Sequence, residues 1–204
     1  MPKHLITELA ALEDLFGEVA PPSLAKEAGS LHPVYARWLA QARFGLLATK
    51  GPHGLDVSPR GDAGPLVRIV DEHTLLLPER RGNNRIDSLR NLIADPRVGL
   101  LFMIPGVGET LRVRGRACIS IDPDLLASFE VEGKRPICVL RIAIDKVFFQ
   151  CARAILRSRL WHPQEHDSAG VPTAGTMLAA LTRGGIDGDS YDSALPKRQR
   201  ETLY

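Results

Sequence analysis

Three arginines lie close together where the chain passes from a short apolar strand into a helical pattern. Arg80 and Arg81 follow the apolar residues 75–77 and Pro78, and Arg85 comes just before the helical pattern. The first turn of a helix has free amide groups and the positive end of the helix dipole, and both attract an anion. Guanidinium groups at this end are unfavourable until an anion binds, and each charge-assisted hydrogen bond then contributes roughly 1.5–3 kcal/mol. The turn predicts a site for a phosphate-bearing cofactor, while a solvated basic turn is the alternative that these residues alone leave open.

The helix after this turn is indicated by the spacing of its apolar residues. Within residues 86–93 they recur close to a 3.6-residue period, so one face of the helix is expected to be buried, and Asp95-Pro96 ends it. Asn83 or Asn84 is the expected N-cap, because an asparagine side chain accepts hydrogen bonds from the free amides of the first turn.

Two strands joined by a hairpin turn are predicted next. Residues 98–104 are a continuous apolar run between two prolines, which is typical of a strand buried on both faces. From residue 110 to 121 apolar and polar residues alternate, which places Arg112, Arg114 and Arg116 on one face of the second strand.

An earlier strand is predicted at residues 55–60. Pro59 and Gly61 make regular pairing unfavourable there, so a bulge or bend is expected to aim Ser58, Arg60 and Asp62 at a common point.

The composition is that of an ordinary globular chain: 204 residues, 44% apolar and 25% charged. A net charge of +2 indicates neither a nucleic-acid nor a membrane partner. The N-terminal residues lack the order of a signal peptide, so a cytoplasmic protein is expected. The cysteines Cys118, Cys138 and Cys151 are expected to be buried free thiols.

Other catalytic patterns receive little support. The chain has no phosphate-binding P-loop and no Gly-x-Ser-x-Gly nucleophile turn. His162 and His166 have a spacing that zinc sites use, but Pro163 lies between them and no thiolate pair is near, so no metal is expected.

The sequence NNRIDSLRNLIADPRVGLLF at residues 83–102, followed by a Gly/Pro turn and ETLRVRGRA, resembles the core of a known family. This is the family of FMN-binding split-barrel proteins related to pyridoxamine 5'-phosphate oxidase, and the resemblance covers roughly residues 40–161. It implies a mainly β fold, an antiparallel split β-barrel of the Greek-key type with flanking α-helices.

The resemblance also implies how the chain is organised. A single FMN-binding split-barrel domain is expected over residues 1–204, with N-terminal helices in 1–42, the barrel in 43–161 and a C-terminal extension in 162–204. The extension departs from the short ending of the family, and its residue pattern predicts short helices at 176–181 and 190–204 that would cover the flavin or a partner subunit.

By the same resemblance the cofactor is FMN, bound at the subunit interface of a homodimer. The residues expected to hold its phosphate are Arg80, Arg81, Asn84, Arg85 and Ser88. Those expected along the isoalloxazine edge are Glu109, Thr110 and Leu111, with backbone amides from Pro78 onward and Arg60. Residues after the last strand that are expected near the flavin are Arg157, Ser158 and Trp161.

Two of these assignments have alternatives. Arg60 could instead pair with Asp62 in a turn, and the region from Arg157 to Trp161 could be a basic surface turn that ends in a packed tryptophan.

The expected function is two-electron redox of a small molecule by an FMN-dependent oxidoreductase. Pyridoxamine 5'-phosphate oxidases carry an Arg-x-His pair near the C-terminus, but Arg157-Ser-Arg159 has no histidine, which argues against vitamin B6 as the substrate. One alternative is a non-catalytic protein that stores or senses a flavin, haem or deazaflavin. Another is a nucleic-acid binder that uses the arginine-rich strand, although an aromatic content of 5% argues against it.

Overall fold

The computed structural model describes residues 4–162, 164 and 169–204. Helices in these residues are α1 (Leu9–Phe16), α2 (Pro21–Ala25), α3 (Pro33–Leu39), α4 (Asp87–Ala94), α5 (Pro123–Ala127), α6 (Arg153–Ser158), α7 (Ala174–Leu181) and α8 (Gly188–Glu201). Strands are β1 (Phe44–Gly51), β2 (Gly54–Gly61), β3 (Arg68–Asp71), β4 (Thr74–Glu79), β5 (Arg97–Met103), β6 (Thr110–Ser120) and β7 (Cys138–Gln150). Among the described residues, no helix is long and apolar enough to cross a membrane.

The seven strands form one antiparallel sheet in the order β2-β1-β5-β6-β7-β4-β3. Its inner face carries the core, in which Leu47, Phe102, Val113 and Leu140 are fully buried. The alternation predicted for β6 is confirmed, because its arginines are exposed and the residues between them are buried. The sheet and its flanking helices confirm the antiparallel split-barrel fold.

The sheet curls so that β2 and β4 approach each other, although they are not neighbours in its hydrogen-bonding order. Two ion pairs join them. Arg60 Nε lies 2.7 Å from Glu79 Oε1, and Arg80 Nη2 lies 2.8 Å from Asp62 Oδ2. We call this junction, where side chains rather than backbone pairs close the barrel, the split.

The bulge expected around Pro59 is wrong. β2 pairs with β1 without a register shift from Gly51↔Gly54 to Phe44↔Gly61, and Pro59 lies opposite Leu46. The reason is that β2 is an edge strand, so a residue without an N–H group removes no hydrogen bond to a second neighbour. The expected inward direction of Ser58 and Arg60 is nevertheless what the burial pattern shows.

The expectation that all three cysteines are buried is also wrong. Cys138 is 3% exposed, whereas Cys118 and Cys151 are exposed free thiols. Cys118 lies on the same face of β6 as the arginines, so the alternation of that strand turns it outward.

The C-terminal extension forms a helical hairpin from α7 and α8, near the ranges predicted from sequence. The helices meet closely at Gly175, where a Cβ atom would lie 2.1 Å from the Gly188 carbonyl oxygen. The Gly175 amide also donates to Asp192 Oδ1 at 2.7 Å. These contacts hold α8 in a fixed position relative to α7.

Candidate functional site

A cleft of about 1230 Å³ lies at the split. Its walls are the inward face of β2, the end of β4, the turn from residue 80 to the start of α4, and the C-terminal half of α8. Seven residues predicted from the sequence line it: Arg60, Pro78, Arg80, Arg81, Asn84, Arg85 and Ser88. The structure therefore brings the predicted anion-binding turn and the predicted β2 residue to one place.

The turn between β4 and α4 presents two arginines with different surroundings. In the described part of the chain, Arg81 has neither an ion pair nor a side-chain hydrogen bond, and it is exposed. Arg85 forms an ion pair with Asp87, and this contact lowers the pKa of the Asp87 carboxyl and raises that of Arg85. Arg81 is thus the cation of this turn that is available to an external anion.

The N-terminus of α4 faces the cleft without a side-chain cap. Its N-cap residue is Ile86, so the cap expected from Asn83 or Asn84 is wrong. Asn83 Oδ1 instead accepts from the Arg85 amide at 3.0 Å, and Asn84 adopts a left-handed backbone conformation with φ of 57°. The Asn83 side chain and the Asn84 backbone shape the turn, and neither asparagine caps the first-turn amides of α4.

Arg60 is fixed against the opposite wall. Its Nε donates to Glu79 Oε1 at 2.7 Å, and its Nη1 donates to Ser58 Oγ and to the Pro59 carbonyl, each at 2.9 Å. The alternative pairing of Arg60 with Asp62 is therefore wrong, because β4 approaches β2 closely enough to supply Glu79. Both side chains of the pair are largely buried, with exposed fractions of 17% and 12%.

Arg80 has a different role from its neighbour Arg81. Its Nε and Nη2 donate to Asp62 Oδ2 at 3.0 and 2.8 Å, and its Nη1 donates to the Phe129 carbonyl at 2.7 Å. Arg80 therefore connects the loop after β2 to the loop after α5 and builds the cleft wall. Its expected contact with an anion stays a prediction.

Ser88 belongs to a hydrogen-bond network at the floor of the cleft. Its hydroxyl lies 2.9 Å from Ser58 Oγ and donates to Asp56 Oδ2 at 2.7 Å. Asp56 is a cleft residue that was not predicted from the sequence. The sequence indicates it through the alternation of β2, in which the polar residues 56, 58 and 60 alternate with apolar residues.

Cys138 also lines the cleft, beside Glu79. Burial, and secondarily the Glu79 carboxylate, raise the pKa of this thiol to about 11. It is therefore protonated near neutral pH and is unsuited to act as a nucleophile there.

Six predicted residues lie outside the cleft: Glu109, Thr110, Leu111, Arg157, Ser158 and Trp161. This second group lies on two segments, the start of β6 and the region of α6, and the residues on either side of α6 contact the turn between β5 and β6. The Trp161 indole donates to the Val107 carbonyl at 2.8 Å, and a Cβ atom on Gly108 would lie 2.6 Å from the Ala152 Cβ. The Leu111 side chain is 1% exposed and belongs to the core, whereas Glu109 is exposed.

The expected absence of a metal rested on the pair His162 and His166, and His166 lies outside the described residues. Within the part of the chain that the structure describes, no group of three or more His, Cys, Asp or Glu side chains could hold a metal ion.

The C-terminal helix supplies a wall that the sequence analysis did not assign residue by residue. The lining residues on α8 are Tyr191, Leu195, Arg198 and Gln199, and those that follow the helix are Thr202, Leu203 and Tyr204. The polar, basic pattern after residue 190 predicted the helix, but no sequence signal shows where such a helix packs.

Comparison with known proteins gives one family match. The sequence profile described as "Pyridoxamine 5'-phosphate oxidase" matches residues 31–151, which is more than half of the chain. No curated protein matches the sequence at a significant level.

Several solved structures are distantly similar in fold. A HupZ variant from Group A Streptococcus has a TM-score of 0.48 at 16% identity, covering 59% of this chain and 99% of its own. General Stress Protein 26 from Bacillus anthracis has a TM-score of 0.41 at 18% identity, covering 55% and 88%. A FAD-binding protein from Mesorhizobium loti has a TM-score of 0.40 at 18% identity, covering 60% and 96%.

Proposed function

This chain belongs to the pyridoxamine 5'-phosphate oxidase family, and from that premise we propose that it binds FMN in the cleft at the split and catalyses two-electron redox of a small molecule. The observation that carries the proposal is that one large cleft contains both an uncapped helix N-terminus and Arg81, which has no ion pair within the described residues. Such a helix end is a binding site for a phosphate group.

The charges of the cleft residues are suited to a phosphate-bearing group. Five arginines and four carboxylates line the cleft. Arg60, Arg80 and Arg85 are paired with carboxylates, so the positive charge that an anion can reach on the turn is that of Arg81. Arg81 and the first amides of α4 would hold the phosphate, supported by the turn at Asn84, by Arg85 and by Ser88.

The remaining predicted residues are proposed to come from a partner subunit. The outward face of β1 and β2 carries apolar side chains that are strongly exposed in the single chain: Leu55 is 83% exposed, Val57 60% and Phe44 39%. Exposed apolar side chains clustered on a sheet face favour association with a second surface. Phe44 pairs with Met103 at the end of the β5–β6 hairpin, so this face runs toward the second group of predicted residues.

We propose a homodimer in which each cleft is completed by that group from the other subunit, including Glu109, Arg157, Ser158 and Trp161. Thr110 and Leu111 are buried within their own protomer, so they would position the hairpin rather than contact the flavin through their side chains. The cytoplasmic location expected from the sequence stays a prediction.

FMN, when bound, supplies hydride transfer, so the reaction requires no catalytic side chain. The chain would hold the phosphate at the turn between β4 and α4 and orient the ring system against Arg60 and Pro78. The wall formed by α8 would limit the access of water to the cleft. Vitamin B6 is not the proposed substrate, because Arg157-Ser-Arg159 lacks the histidine of the Arg-x-His pair.

The principal alternative is a protein that stores or senses a flavin, haem or deazaflavin without turnover. Anaerobic mixing of the FMN-loaded protein with NADH or NADPH, followed by readmission of oxygen, separates the two. An enzyme loses its visible flavin absorption and recovers it over repeated cycles faster than free FMN does. A storage protein reacts no faster than free FMN, and that result would contradict the catalytic part of the proposal.

A nucleic-acid partner is not proposed, although Arg112, Arg114 and Arg116 form an exposed strip on the outer face of the sheet. Arg112 is already engaged, because its guanidinium lies 5.1 Å from the Phe148 ring centroid and donates to Gln150. Retention on single-stranded nucleic acid that falls steeply with salt would revive this alternative.

A further inference from the structure

The C-terminal helix α8 is held over the cleft by Tyr204, which lies three residues after the helix ends. The Tyr204 hydroxyl donates to Asp62 Oδ1 at 3.1 Å and accepts from the Ala63 amide, also at 3.1 Å. The Arg80 guanidinium lies 5.2 Å from the centroid of the Tyr204 ring. The ion pair that closes the split therefore also anchors the chain terminus, and α8 is a defined wall of the cleft.

Arg198 is the cation on this wall. In the described part of the chain it has no carboxylate partner, and its guanidinium lies 4.6 Å from the centroid of the Tyr191 ring. A cation over an aromatic face is held in place while its hydrogen-bond donors stay available. The neighbouring Lys197 differs, because it lies near Glu201 at 3.9 Å and does not line the cleft.

The cleft is larger than a typical small-molecule site. Its volume of about 1230 Å³ exceeds the roughly 300–1,000 Å³ that is typical of small-molecule sites. Two arginines of the lining, Arg81 on the turn and Arg198 on α8, form no ion pair with a carboxylate among the residues that the structure describes. FMN carries a single phosphate group, and the proposed function assigns it to Arg81, which leaves Arg198 for a second anion.

We propose that Arg198 recognises the redox substrate, and that this substrate is a small molecule bearing a carboxylate or phosphate group. The inference rests on the proposed function, because the anionic molecule would share the cleft with FMN. Leu195 and Leu203 flank Arg198 along the same wall and offer apolar contact to the body of such a molecule. Arg198 is therefore a specificity-determining residue rather than a catalytic one.

The test uses the FMN-loaded, full-length protein and three probes of similar shape: benzoate, phenyl phosphate and benzamide. Binding is followed by the change that each probe causes in the visible spectrum of the bound flavin. One charge-assisted hydrogen bond predicts that at least one anionic probe binds about tenfold more tightly than neutral benzamide. Comparison of benzoate with phenyl phosphate then shows whether the site prefers a carboxylate or a phosphate group.

Two variants complete the experiment. Arg198→Gln is expected to remove the preference for anionic probes while leaving FMN retention unchanged. Arg200→Gln is the matched control, since Arg200 lies on the same helix but does not line the cleft, and it should behave like the wild type.

If the wild type takes up FMN but binds the three probes equally, the role of Arg198 in substrate recognition is overturned and the proposed function is not. The inference would also be overturned if Arg198→Gln weakened the binding of FMN but not that of riboflavin, because Arg198 would then contact the cofactor phosphate. Failure of the wild-type protein to take up FMN would overturn the proposed function and this inference together.

Discussion

Replacement of Arg81 by glutamine is the most informative perturbation of the proposed cofactor site. Glutamine keeps a polar side chain of moderate length but removes the charge. Since Arg81 has no ion pair or side-chain hydrogen bond in the described part of the chain, its loss breaks no protein contact that the structure records. A change in ligand affinity can therefore be assigned to the lost contact with the ligand rather than to damage elsewhere.

The size of the effect follows from the contact that is lost. A hydrogen bond to a charged group contributes roughly 1.5–3 kcal/mol, which corresponds to about a 10- to 150-fold change in the dissociation constant. Because Arg81 is exposed, solvent and salt screen part of this interaction, and the lower end of the range is expected. We predict about a tenfold loss of FMN affinity at low ionic strength, and a smaller loss as salt is added.

The assay is quenching of flavin fluorescence during titration of flavin-free protein with FMN and, separately, with riboflavin. Riboflavin lacks the phosphate, so Arg81→Gln should weaken FMN binding and leave riboflavin binding nearly unchanged. Arg37→Gln is a suitable control, because Arg37 is an exposed arginine on α3 that does not line the cleft. An equal loss for both flavins, or no difference between the two variants, would refute the assignment of the phosphate to this turn.

Three further predictions concern the walls of the cleft and the outer face. Glu79→Gln leaves the largely buried Arg60 without its ionic partner and should destabilise the protein by about 1–3 kcal/mol, measured by urea unfolding with Asp71→Asn as an exposed-site control. A thiol reagent near neutral pH should label the two exposed cysteines of the native protein and spare Cys138. Because the pKa of the Cys138 thiol is raised to about 11, labelling of Cys138 should increase only as the pH approaches that value. Fast labelling of Cys138 at neutral pH would show that this thiol is accessible to the reagent and contradict its burial. Val57→Asp puts a charge on the exposed apolar face of β2 and should shift the molecular mass in light scattering from dimer to monomer, whereas an unchanged mass would place the interface elsewhere.

The strands were predictable because their signals are local. The continuous apolar run at 98–104 became β5 (Arg97–Met103), and the alternating run from residue 110 became β6 (Thr110–Ser120). In both cases the local pattern predicts the strand, and in β6 it also predicts which face is buried; β5, expected to be buried on both faces, is fully buried on one face and half-buried on the other. The clustering of Arg81, Arg85 and Ser88 was predictable for the same reason, since they belong to one turn and the helix that follows.

The partners of the arginines were not predictable in the same way. Arg60 and Glu79 are far apart in the sequence and lie on strands that are not neighbours in the sheet, so their contact depends on how the sheet curls. The missing cap of α4 has a local cause that propensity does not resolve, because Asn83 satisfies the Arg85 amide instead of the helix. The position of α8 depends on its packing against α7 and on the contacts of Tyr204 with Asp62, Ala63 and Arg80, which are far from it in the sequence.

The visible spectrum of the freshly purified protein is the most direct test of whether this chain holds FMN in the cleft at the split. The coloured compound is then released by heat and identified by chromatography. We expect a yellow protein that releases FMN in near-stoichiometric amount. A colourless protein that also fails to take up added FMN would contradict it, and the arginine turn would then be assigned to a different anion.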